Sequence, residues 1–199
     1  MAGFPHHSVD TYLPKLVRAG YRVAICDQLE DPKLTKSIVK RGVTELVTPG
    51  VTFNDKVLEH KTNNFLASIY FEKDKAGISF LDVSTGEFLI AEGTLTYIEK
   101  LIQTFKPNEI LIEKNKRQTL VNLIGENFYI FGLDDWAFKY DFGYESLIKQ
   151  FGTNSLKGFG IEQFNNAITS CGAMLHYLGE TKHDKLQHIT TISRIEEDQ

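Results

Sequence analysis

Residues 64–91, NFLASIYFEKDKAGISFLDVSTGEFLIA, hold three short apolar runs in a row with no room for a helix between them. Phe65, Leu66, Ile69, Tyr70 and Phe71 form the first, Ile78, Phe80, Leu81 and Val83 the second, and Phe88, Leu89 and Ile90 the third. Polar turns at 73–75 and 84–86 separate them. Aromatic and β-branched runs punctuated this way predict an antiparallel meander. Every other element must be placed against that floor.

Downstream the pattern changes. Ile98, Leu101, Ile102 and Phe105 recur at helical spacing, with Thr96 and Glu99 as a capping pair and Pro107 as a stop. Residues 109–113 (EILIE) predict a strand. A helix follows, capped by Asn115 with Gln118 and carrying Leu120, Val121, Leu123 and Ile124, and then a strand over 127–133. The order β-β-β-α-β-α-β, followed by further helices, predicts an α/β unit with a mixed sheet. It is also the order of the ribonuclease H-like architecture. Tyr144 to Phe151 predicts a short amphipathic helix, with Leu147, Ile148 and Phe151 inward and Glu145, Ser146 and Lys149 outward. Phe164, Ile168, Cys171, Leu175 and Leu178 mark a longer helix.

Residues 1–50 predict one helix, with Ser8 or Asp10 as cap, and two strands near 21–25 and 42–49. Pro14 fits in the first turn only if Asp10 is the cap. So few elements do not close a core, so either this partial α/β piece packs on the rest of the chain or its other half is expected upstream. The polar stretch 51–63 reads as the linker between the two.

Composition narrows the function. A net charge of −4 and a pI near 5.9 are poorly suited to gripping duplex DNA with this surface alone. No apolar run approaches the ~20 residues that span a bilayer, and no secretory leader pattern opens the sequence. A cytoplasmic protein with Cys26 and Cys171 as buried free thiols is the expectation. There is no phosphate-binding glycine loop and no nucleophile elbow, so no catalytic or cofactor-binding residue is assigned. His176, His183 and His188 match no zinc spacing and are expected to be solvated or helix-terminal. A metal-dependent nuclease is the enzymatic alternative, with Asp82, Glu109 and Glu113 as its carboxylates. Its first strand, residues 65–71, offers no acid, and Asp82 is more simply a turn residue. The aromatic series Trp136, Phe138, Tyr140, Phe142 and Tyr144 lies among four acids and one lysine, which suits core or partner contact better than base stacking.

The strings AGFPHHSVDTYLPKLVRAGYRVAICDQLEDP and VKRGVTELVTPGV, followed by LDVSTGEF, QFG at 150–152, GFGIE at 158–162 and LQHITTISRIEE, resemble the bacterial MutS family of DNA mismatch-repair proteins. The similarity covers essentially the whole chain. It implies the latter part of a mismatch-recognition domain over 1–50. It implies a connector domain over 64–182, ribonuclease H-like in fold but without nuclease activity, and the start of a lever or core region over 183–199. The mismatch-reading wedge and the ATPase, with its ATP and Mg, are then expected outside residues 1–199. Mismatched duplex DNA would be bound only by the full-length protein, a homodimer or higher oligomer. The family further implies MutL as partner, docking on the connector domain, and the exposed side of the 144–150 helix is the expected contact, with Tyr144, Glu145, Ser146 and Lys149.

Overall fold

A computed structural model describes residues 2–52 and 63–196. The expected linker falls mostly on 53–62, outside the described residues. Its first two residues are inside the structure: Val51 is fully buried in the core of the larger unit, and Thr52 is also buried.

The meander forms as β3 (Phe65–Glu72), β4 (Lys75–Asp82) and β5 (Phe88–Thr94), paired antiparallel. On the far side of β3 come β6 (Glu109–Glu113) and β7 (Ile130–Leu133), both parallel. β8 (Ser193–Arg194) adds a short parallel edge on β5. The order is β7-β6-β3-β4-β5-β8, a mixed sheet. β8 was not expected from the tail, because both its residues are exposed and leave no apolar signal.

Strand periodicity sends alternate side chains to opposite faces. In β4, Ala76, Ile78 and Phe80 enter one core with α2 (Leu95–Phe105) and α3 (Arg117–Ile124). Gly77, Ser79 and Leu81 face α5 (Asn165–Glu180), which α4 (Tyr140–Phe151) covers from outside. Burial on both faces is why these strands read as nearly continuous apolar runs. The start of α5 is fixed by Glu92 of β5, whose carboxylate accepts from the Asn166 and Ala167 amides at 2.8 and 3.2 Å. An anion at a helix N-terminus satisfies amides that have no intrahelical acceptor.

Several local expectations are corrected. The cap of α2 is Thr94, whose hydroxyl accepts from the Tyr97 amide; Thr96 already lies inside the helix, because β5 runs straight into it. Residues 114–116 form a 3-10 turn, so Asn115 caps nothing, and Gln118 instead donates to Asn122 one turn on. α4 begins at Tyr140, four residues early, so part of the aromatic series is helical. Pro14 is the sixth residue of α1 (Val9–Arg18), which starts from Ser8 rather than Asp10 and still runs on to Arg18.

The smaller unit consists of α1 and the antiparallel pair β1 (Val23–Gln28) and β2 (Arg41–Val47). Among the described residues, its core holds Leu13, Val17 and Val47, with Val9, Val23 and Ile25 beside them. Leu34 is 84% and Ile38 95% exposed in the connection between the strands. Cys26 faces solvent, against expectation: β1 alternates, and Val23 and Ile25 take the inner side. Cys171 is buried, and burial pushes its thiol up to about 12.

Candidate functional site

Two regions gather polar side chains. One is the outer face of α4, and the other is the seam between the two units.

On α4, Leu147 is fully buried, which fixes the helix rotation. Glu145 and Lys149 are exposed one turn apart. Tyr144 is half-buried against the core, its ring 6.0 Å from that of Tyr140. Ser146 donates its hydroxyl to the Phe142 carbonyl at 2.7 Å, a bond within its own helix. The structure therefore brings Glu145, Ser146 and Lys149 to one side, along a groove of about 520 Å³, and turns much of Tyr144 inward. Leu175 and His176 of α5, with Asp184, Leu186 and Gln187, complete that groove. Gln150 was missed as a structural contact. Its amide donates to the Leu186 and Ile189 carbonyls at 2.9 and 3.0 Å and ties the chain beyond α5 back to α4. Exposed Trp136 meets His176 edge-on at 4.6 Å at one end of the groove.

At the seam, Glu109 is the first residue of β6 and only 2% exposed. Its Oε2 accepts from the Thr48 hydroxyl at 2.6 Å and from the Gly50 amide at 3.1 Å. Its Oε1 accepts from the Tyr177 hydroxyl at 2.6 Å, and that oxygen accepts in turn from Arg22 Nη1 at 3.0 Å. The Arg22 guanidinium lies 3.8 Å from the centroid of the Phe131 ring, a cation–π contact. Burial first, and the neighbouring Glu109 carboxylate second, raise the pKa of Tyr177, so the phenol stays protonated and donates. Gly50 is glycine for space, because a Cβ there would come within 2.8 Å of Glu109 Cβ. Elsewhere on the seam, the Leu46 amide donates to the Thr181 carbonyl.

His183 also corrects the sequence reading. It is buried, with Nδ1 2.9 Å from the Thr181 hydroxyl and Nε2 3.1 Å from Glu45 of β2. The three nuclease candidates are spent or apart. Asp82 holds the 82–86 turn through the Ser84 and Thr85 amides and accepts from the Asn64 amide. Glu109 belongs to the seam, and Glu113 lies at the other end of β6, its carboxyl raised by burial. Among the described residues, no three His, Cys, Asp or Glu side chains form a metal-holding group, and no helix is long and apolar enough to cross a membrane. The nuclease reading has no support.

The family model described as MutS domain II matches residues 64–190, and that described as MutS domain I matches residues 1–56. The DNA mismatch repair protein MutS of Flavobacterium johnsoniae is 63% identical over 198 residues, and that of Flavobacterium psychrophilum is 64% identical. The protein of the same name from Cytophaga hutchinsonii is 61% identical. In each case the whole of this chain is covered, and it spans 23% of the length of the relative. With one domain model matching each of the two units and identity near 60% throughout, the chain belongs to the MutS family.

Proposed function

We propose that this chain acts without catalysis of its own, as the part of a cytoplasmic mismatch-repair protein in which a mismatch-recognition domain meets a connector domain. Residues 1–50 belong to the first, 64–182 to the second, and 183–199 lead into a lever or core region. The strand order of the larger unit and its flanking helices suit a ribonuclease H-like connector whose carboxylates have been given to structure. In the full-length protein, a homodimer or higher oligomer, the connector relays between mismatched duplex DNA and an ATPase that uses ATP and Mg. It also docks MutL.

The observation that carries the docking reading is the outer face of α4. Glu145 and Lys149 are exposed there beside a groove, on a helix whose inner side is locked by Leu147. A packed helix carrying exposed charged side chains suits a modest, transient interface of about 1,200 Å² or less. Replacing Glu145→Lys and Lys149→Glu together reverses both charges and keeps the sum. In the full-length protein this pair is expected to weaken MutL binding at least tenfold, about 1.4 kcal/mol, with an unchanged unfolding midpoint. Calorimetric titration measures it. Unchanged affinity moves the docking site off α4.

A further inference from the structure

We infer that Glu109, Tyr177, Thr48 and Arg22 form a polar latch that fixes the orientation of the smaller unit on the larger one. This rests on the reading of the chain as two joined domains, and it assigns the buried centre of what holds them.

The direction of the hydrogen bonds identifies the network as one unit. Thr48 and Gly50 donate from the end of β2 and its turn, and Tyr177 donates from α5. All three converge on one carboxylate, which accepts without donating anything back. Arg22, beside β1, adds a fourth donor to the Tyr177 oxygen. The negative charge on β6 of the larger unit and the positive charge of the smaller unit are thus joined through a phenol. Bonds to an ionised acceptor are shorter and stronger than neutral ones, and a water-poor setting strengthens them further. The same setting penalises a carboxylate that loses its donors. The latch is therefore closed with all donors in place, or open with the carboxylate released to solvent.

Its position suits transmission. Thr48 and Val51 exchange backbone hydrogen bonds, so 48–51 is a tight turn that runs from the end of β2 to Val51 in the larger unit's core. Displacing that turn pulls on Glu109, the first residue of β6, and β6 lies inside the sheet between β7 and β3. Other ties cross the seam, the Leu46 amide on the Thr181 carbonyl, Glu45 on His183 and the Tyr129 hydroxyl on the Arg18 carbonyl, but the bonds to Glu109 are the ones made to β6 itself.

The test uses two spin labels. Exposed Cys26 takes one on β1, and a cysteine placed by Asp74→Cys takes the other in the exposed β3–β4 turn. Buried Cys171 stays unlabelled in the native chain. Electron–electron distance measurements are expected to give one narrow peak. Tyr177→Phe, which removes a single oxygen and leaves the ring against Phe131, is expected to broaden that peak. Thr48→Val and Glu109→Gln are expected to do the same. Hydrogen exchange in β3, β4 and β5 should stay slow in each variant, which separates latch opening from unfolding; if Glu109→Gln does not fold, the other two decide. A narrow peak that survives Tyr177→Phe and Thr48→Val overturns the latch. A broad distribution already present before any latch substitution overturns instead the reading of two domains in fixed register.

Discussion

Gly77→Ala is expected to destabilise the chain by about 3 kcal/mol, lowering Tm by roughly 6–12 °C for a protein of this size. The reason is a backbone approach rather than a backbone angle. A Cβ at Gly77 would lie 2.1 Å from both the Ala167 nitrogen and the Asn166 carbonyl carbon. These are main-chain atoms of α5, so no rotamer change relieves the clash. The helix would have to lift, and Glu92 prevents that by holding the Asn166 and Ala167 amides. Lifting α5 also opens contacts of Ile168, Cys171 and Leu178, all fully buried. Gly158→Ala is the control: nothing lies within 4 Å of its Cβ position, and its stability should hardly change. Thermal unfolding of the two variants compares them directly. Equal midpoints would show that the sheet and α5 are less closely packed than described.

Gly143→Ala is expected to cost about 2 kcal/mol net and, with the proposed docking face on α4, to remove MutL binding along with it. In an exposed helix interior the same change gains about 1 kcal/mol of propensity. Here a Cβ would sit 2.2 Å from the Ile168 carbonyl oxygen and 2.9 Å from its carbon. Across the contact, a Cβ on Gly172 would fall 2.7 Å from Gly143 Cα, so α4 and α5 cross with little but backbone between them. Overpacking at such a place costs up to about 3 kcal/mol, which exceeds the propensity gain. The helix that must give way is α4, and it carries Glu145, Lys149 and Gln150. Denaturant unfolding measures the stability loss, and titration with MutL measures the coupled loss of docking. A stabilised variant that still binds would contradict the close crossing of α4 and α5.

The meander was legible because β3 and β4 are buried on both faces, leaving long apolar runs between polar turns. The first turn of α4 was not legible. Gly143 lowers its helix propensity, and the alternating aromatics Tyr140 and Phe142 imitate a strand. Cys26 carried a usable signal. Placing Val23 and Ile25 inward already places Cys26 outward, but the thiol was read by residue type instead of by period. That Glu145, Ser146 and Lys149 share one side of α4 follows from helical spacing once Leu147 is taken as buried. The half-burial of Tyr144 does not, because its ring is amphipathic and the larger part of it joined the core. The seam was beyond sequence reading. Glu109 drew notice only as an acid on a strand, and its partners Thr48 and Tyr177 lie 61 and 68 residues away. No periodicity links them; only the docking of β2 against β6 and α5 does.

We propose that MutL docks on the α4 face of this two-domain piece of a MutS protein. Hydrogen exchange on the full-length protein, with and without saturating MutL, tests it most directly. Slowed exchange in α4 (Tyr140–Phe151) and in residues 184–187 of the groove is the predicted result, with β7 and the smaller unit unchanged. Protection confined to the smaller unit or to β7, with α4 exchanging as in the free protein, would contradict it.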